Sequence, residues 1–180
     1  MSSTSLDRTL AEQGGPYLLT RGGARLRLRP ATADDGPLLA GLFSRLRPED
    51  LRFRFLDTRK LPAAQDFGAM LEVDHRRSEH VLAFDTGTGE LVASLMVVAD
   101  ARMETAEVTI AVAEEWKGRG VGWSLLRHAA DLAFIRGIKT LRSIESRANH
   151  DALEVERALG FHTREFEGDP SLVLVEADLG

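Results

Sequence analysis

The sequence predicts one α/β domain of the α+β kind, in which antiparallel hairpins and helices share a core. Three observations carry this. Residues 107–112 are strand-like, with β-branched residues bounded by charge, and they run through a glycine turn into a helix at 123–136. Two strand-like segments, 80–85 and 91–100, are joined by Thr86-Gly87-Thr88-Gly89, which reads as a hairpin turn. A second hairpin closes the chain, with 162–167 and 171–177 around Gly168-Asp169-Pro170.

Taken in order, residues 1–23 are polar and glycine-containing. Gly14-Gly15-Pro16 breaks any short helix there, so 1–23 is expected as a mobile arm and 24–180 as the single domain. Arg25-Leu26-Arg27-Leu28-Arg29 alternates charge and leucine, a strand with one buried face that Pro30 ends. Asp34 or Asp35 caps the next helix, with Pro37 in its first turn and an apolar stripe of Leu38, Leu39, Leu42, Phe43 and Leu46. A second short helix starts at Pro48, and a third lies within 63–71. In the long helix Leu125, Ala129, Leu132 and Ala133 recur at helical spacing. A strand at 140–146 follows, then a helix at 151–159 that Asn149 caps and Gly160 ends.

Composition narrows the function. A length of 180 residues suits one domain with a sizeable core, and 43% hydrophobic with 28% charged residues is globular. The net charge of -5 argues against a general nucleic-acid or acidic-membrane partner and is compatible with a cationic substrate. Absence of cysteine excludes disulfides, a thiol nucleophile and thiolate metal sites. The first 15 residues lack the apolar core of a signal peptide, and the longest apolar run, 91–99, is too short for a bilayer, so a cytoplasmic protein is expected. The five histidines show no metal-ligand spacing, and no G-x-S-x-G elbow is present.

The glycine turn is the main chemical signal. A strand, a glycine-rich turn and a helix N-terminus present unpaired N–H groups and a positive dipole end to an anion. Lys117 and Arg119 add positive charge there, and the turn reads as a pyrophosphate cradle. A Walker-A loop is excluded because no Lys-Ser/Thr pair follows Gly122. A dinucleotide fingerprint needs G-x-G-x-x-G after the first strand, whereas this turn reads G-x-G-x-G two thirds of the way along. An ordinary glycine-rich turn remains the alternative for the G-x-G alone.

Lys117-Gly118-Arg119-Gly120-Val121-Gly122 resembles the Q/R-x-x-G-x-G/A coenzyme A signature of the GNAT-family N-acetyltransferases, with Lys117 where the family usually has Gln or Arg. Asn149-x-x-Ala152, leading to Ala158-Leu159-Gly160-Phe161, resembles the family's second segment. The resemblance covers about residues 25–179. It implies the GNAT fold: a central mixed, mostly antiparallel sheet of six to seven strands, splayed between the fourth and fifth, with about four helices around it. It implies acetyl-CoA as cosubstrate and no metal. Residues 47–56 and Asp74-His75-Arg76-Arg77 resemble a subgroup, the bacterial protein-lysine acetyltransferases related to acyl-CoA-synthetase-linked enzymes. Its implied partner is a protein with an exposed lysine, such as an acyl-CoA synthetase. A solvated surface helix is the alternative for 47–56, and the oligomeric state stays open.

An amine must lose a proton before it attacks a thioester, since a lysine ammonium titrates near 10.4. The carboxylates near the cradle are Glu104, Glu107, Glu114, Glu115 and Glu145. Strand alternation puts Glu107 on one face with Thr109 and Ala111, opposite Val108, Ile110 and Val112. The resemblance implies Glu107 as general base; otherwise it is a half-exposed strand residue. Glu114 and Glu115 cap the loop or face solvent. The resemblance also implies that the backbone of Ile110 and Val112 pairs with the pantetheine arm, that an N–H near Ile110 polarises the thioester carbonyl, and that Asn149 contacts the coenzyme. Many family members carry a tyrosine acid five residues before the phenylalanine, where this chain has Glu156. The single tyrosine, Tyr17, lies in the arm, so water is expected to protonate the leaving thiolate. Trp116 and Trp123 flank the turn as packing residues. Two alternatives stand beside protein-lysine acetylation: N-acetylation of a small amine, and acyl-CoA sensing without catalysis.

Overall fold

The computed structural model describes residues 15–47, 50 and 67–180. Eight strands form one sheet: β1 (Tyr17–Leu19), β2 (Arg25–Pro30), β3 (Ser78–Asp85), β4 (Leu91–Ala99), β5 (Thr105–Val112), β6 (Thr140–Ser146), β7 (His162–Glu165) and β8 (Leu172–Asp178). Four helices accompany them among the described residues: α1 (Gly36–Phe43), α2 (Gly68–Leu71), α3 (Val121–Ile135) and α4 (His150–Ala158). The expected helix beginning at Pro48 lies largely outside the described residues, as do residues 1–14. No helix among the described residues is long and apolar enough to cross a membrane.

The strand order is β1-β2-β3-β4-β5-β6-β8-β7. Every neighbouring pair is antiparallel except β5 and β6. Those two are joined through α3, and a crossover helix returns the chain in the same direction. The expected count of six to seven strands is one short. The addition is β1, which pairs Tyr17 with Arg27 and Leu19 with Arg25 in the segment expected as an arm. Three residues between a proline and a glycine turn carry too little alternation to read as a strand.

The core lies between the sheet and its helices. Leu26 and Leu28 supply the buried face of the arginine–leucine strand, and Ala83, Val81 and Leu95 continue it across β3 and β4. α3 packs on β5 and β4 and buries Val121, Leu125, Ala129 and Ala133, while its Phe134 and Ile135 stay exposed. The small alanines let the helix sit close to the sheet. α4 packs against α3. Asp35 does not cap α1 through its side chain. It takes two hydrogen bonds from Arg29, each 2.7 Å, and one from the Thr32 amide at 2.7 Å. Those donors hold its carboxyl below the usual range, the Arg29 hydrogen bond most of all.

The joint between β5 and β6 positions the site. They register only at Thr105–Thr140, Ala106–Leu141 and Glu107–Arg142, and then diverge. This is the splay expected between the fourth and fifth strands, which β1 renumbers as fifth and sixth.

Candidate active site

Past that joint, β5 has an open backbone edge. The Ala113 amide donates to Val92 of β4, and the Asp100 amide donates to Thr105. On the other side, Lys139 and Thr140 both donate to the carbonyl of Glu104. Because backbone direction alternates along a strand, residues 105, 107, 109 and 111 bond β4, while 106, 108, 110 and 112 turn toward β6. Beyond Ala106 no β6 partner meets them. The main chains of Val108, Ile110 and Val112 therefore face a slot, as expected for Ile110 and Val112.

The slot widens into a cleft of about 530 Å³. Its lining includes β5 from Val108 to Val112, the turn at Lys117, Gly118, Gly120, Val121 and Gly122, and Asn149 at the start of α4. Gly118 and Gly120 adopt φ of 73° and 76°, the left-handed region that glycine enters without strain. Gly120 ends the turn as the N-cap of α3, whose first turn carries no acidic residue. The first N–H groups of α3 have no intrahelical acceptor. A side chain added at Gly118 or Gly122 would meet nothing within 4 Å, so open space lies over the turn. The indole Nε1 of Trp123, which lines the cleft, is buried without a hydrogen-bond partner among the described residues. An unpaired donor beside an open, dipole-charged turn fits a phosphate-bearing ligand.

The two cations of the turn do different things. Lys117 lines the cleft and pairs there with Asp50. Arg119 is absent from the lining; its guanidinium lies 4.6 Å from the centroid of Trp116. Its carbonyl accepts the Gly22 amide at 3.2 Å, and a Cβ on Gly22 would come within 2.6 Å of that oxygen. This close approach stitches the β1–β2 turn to the cradle. It also brings Arg21 to the cleft, 3.7 Å over the ring of Trp123. Arg21 escapes sequence reading because its neighbours in space are about a hundred positions away.

The floor is acidic. Glu156 of α4 is 4% exposed. Its Oε1 accepts a hydrogen bond from the Ser143 hydroxyl, and its Oε2 has no partner among the described residues. Glu145 of β6 takes a hydrogen bond from Asn149 Nδ2 at 3.1 Å. Burial pushes both carboxyls up, to about 8 for Glu145 and about 7 for Glu156, and the Glu156 charge raises Glu145 further. The two titrate as a pair. Asn149 also accepts the Ala152 amide at 3.4 Å, so the side chain expected to touch coenzyme is bonded within the protein at both ends.

Glu107 lies on the other face. It lines a separate hollow of about 420 Å³ with Val98, Asp100, Thr105, Thr109 and Arg142. Its carboxylate is 3.7 Å from the Arg142 guanidinium, and the two side chains are 42% and 44% exposed. Thr109 lines both hollows, so they lie on either side of β5. The other carboxylates make surface ion pairs: Glu104 with Lys139 at 3.0 Å, Glu114 with Arg47 at 3.0 Å and Glu115 with Arg45 at 2.5 Å. Asp74 is a turn residue, its carboxylate accepting the amides of Arg76, Arg77 and Ser78.

The model of the acetyltransferase (GNAT) family matches residues 43–161, well over half of the chain. The chain belongs to this family. Among GNAT relatives it is 27% identical over 141 residues to acetyltransferase PA5475 of Pseudomonas aeruginosa, covering 77% of this chain and 76% of that one. It resembles the GNAT domain of S. lividans PAT with a TM-score of 0.79 and 26% identity, over 91% of this chain and 96% of the other. It shares the fold of a phosphinothricin acetyltransferase from Sinorhizobium meliloti solved with AcCoA, with a TM-score of 0.69 and 19% identity, over 86% and 89% of the two chains. This GNAT chain is an N-acetyltransferase, transferring an acyl group to an amine, and GNAT enzymes use acetyl-CoA.

Proposed function

We propose that this enzyme acetylates the side-chain amine of a protein lysine, with acetyl-CoA held in the cleft and Glu107 as general base. The open edge of β5 beside the glycine turn carries the reading. Gly118, Gly120, Val121 and Gly122 would hold the pyrophosphate through backbone N–H groups, with Lys117 and Trp123 beside them. Ile110 and Val112 would pair with the pantetheine arm, and the Ile110 N–H would polarise the acyl carbonyl. The bound coenzyme supplies an acetyl group already activated as a thioester.

Glu107 works from the other face. The hollow it lines adjoins the cleft across Thr109, so an amine arriving there would approach the slot from the side opposite the coenzyme. Glu107 would take the nitrogen's proton directly or through a water molecule. Its exposure suits an amine borne on a flexible side chain, and the net charge of -5 suits a cationic acceptor. The subgroup resemblance supports the same class of acceptor, though Asp74-His75-Arg76-Arg77 forms a turn and lines neither hollow.

The test is thiol release from acetyl-CoA with lysine-containing proteins and, in parallel, a polyamine or an aminoglycoside. The chain has no cysteine, so with cysteine-free acceptors every thiol detected is coenzyme. Preference for the lysine proteins is expected. Faster turnover of the small amine would transfer the assignment to that class. Coenzyme binding with no thiol release from any amine would leave an acyl-CoA sensor.

A further inference from the structure

We propose that Glu156 is the acid that protonates the departing sulfur, with Ser143 and Glu145 as the residues that position it. This rests on coenzyme binding in the same cleft, as proposed above.

The argument begins at the fork. β5 and β6 pair as far as Glu107–Arg142, which makes Ser143 the first residue of β6 inside the slot. The Ser143 hydroxyl donates to Glu156 Oε1, so α4 delivers this carboxyl to the apex where the strands part. Alternation from Arg142 puts Ser143 and Glu145 on the face opposite Glu107. The carboxyls of the floor therefore face the coenzyme cleft, and Glu107 faces the other hollow.

The state of Glu156 follows from its surroundings. A buried carboxylate kept for structure has both oxygens hydrogen-bonded, because an unpaired buried charge is costly. Here Oε2 has no partner among the described residues. Glu145 stands nearby on β6, and Asp50 adds a third acid whose charge Lys117 balances. Arg21 lies across the cleft, and Asp151 and Glu154 of α4 line it as well. No cation bonds Glu156 among the described residues, and burial raises its carboxyl to about 7, so a protonated fraction persists at neutral pH. With Oε1 accepting from Ser143, the proton sits on Oε2: a donor without an acceptor among the described residues, on a side chain that lines the cleft. A thiol of ordinary acidity titrates near about 8.5, close enough for the proton to pass at little cost.

The balance is simple. The acceptor nitrogen bonds to the acyl carbon, and the carbon–sulfur bond breaks with its electron pair left on sulfur. The nitrogen's proton goes to Glu107, and the Glu156 proton goes to sulfur. Water takes one proton from Glu107 and returns one to Glu156. A neutral amine and a thioester thus yield an amide and a thiol.

The decisive measurement uses free coenzyme A, the wild-type enzyme and E156Q, reading thiolate absorption in the ultraviolet against pH. The protein contributes no thiol to the signal. In the wild type, an ionised Glu156 beside the sulfur should hold the bound thiol protonated to about one pH unit above free coenzyme. In E156Q that shift should vanish, and kcat should fall about 100-fold with KM changed less than threefold. A bound thiol that titrates alike in both proteins overturns the assignment. Failure of the wild type to bind coenzyme A overturns this and the functional reading together. Should E156Q not fold, S143A tests the same point. Losing the hydroxyl that steadies the carboxylate should move the alkaline limb of kcat to higher pH, and an unmoved limb overturns the proposal.

Discussion

The two faces of the sheet at the fork carry the same side chain in opposite circumstances. On one face Glu107 is half exposed and stands 3.7 Å from Arg142. On the other, Glu156 is 4% exposed, with one oxygen bonded by Ser143 and the other unpartnered. Residue type alone would give both the same duty. Their surroundings divide it: a carboxylate at an open hollow is within reach of an incoming amine, and a buried carboxyl among acids holds a proton it can give.

The largest expected effect is at Glu107. Replacing it with glutamine should lower kcat by about 10²- to 10⁴-fold, as loss of a general base does, and leave acetyl-CoA affinity by calorimetry within about twofold. The pH profiles sharpen the contrast. Wild-type kcat should fall on the alkaline side as the Glu156 pair ionises, and E107Q should keep that limb. A fast E107Q enzyme, beside an E156Q enzyme whose rate loss is confined to the alkaline range, would reverse the roles of the two faces.

Stability gives a second contrast. A carboxyl raised by burial favours folding while protonated, because the native state then binds protons that the unfolded chain has released. Its contribution is complete below about 4.3, the unfolded value, and declines as pH rises through the folded values of about 7 and 8. The wild-type thermal midpoint should therefore drop between about pH 5 and 9. In E156Q the share of that slope due to Glu156 should disappear while the Glu145 share remains in reduced form, with the variant overtaking wild type at the alkaline end. A change of roughly 2–4 °C is expected per kcal/mol for a chain of this size. An equal slope in both proteins would show that Glu156 is already ionised when folded.

Much of this arrangement is legible in the sequence. The turn from Lys117 to Gly122 and the facing of Glu107 follow from motif and alternation, because each depends on residues close in the chain, and the slot along Ile110 and Val112 follows from the family resemblance. What escapes depends on distance. Glu156 reads as a missing tyrosine, and only the packing of α4 shows that it is buried with Ser143. Arg119 reads as a phosphate cation from its place in the motif, yet it stacks on Trp116. Asn149 reads as a coenzyme contact or a cap; it lines the cleft, and its bonds to Ala152 and Glu145 also make it a cap that steadies the floor. β1 escapes because three residues cannot show a period.

The smallest effect concerns Arg21 and touches only the coenzyme face. Lys117 is held by Asp50 and Arg119 lies on Trp116, so the motif's own cations are both engaged. Arg21 makes no ion pair among the described residues, lines the cleft and lies over Trp123 in the first turn of α3. It is exposed, and an exposed pairing with phosphate is worth about 1 kcal/mol at most, close to fivefold in affinity. R21Q should therefore weaken acetyl-CoA binding about two- to fivefold and flatten its dependence on salt. It should leave acetyl-pantetheine, which has no nucleotide phosphates, bound as before, and leave KM for the acceptor unchanged. If R21Q instead raises KM for the amine, the acceptor passes through the coenzyme cleft, and the separation of the two faces at Thr109 is wrong.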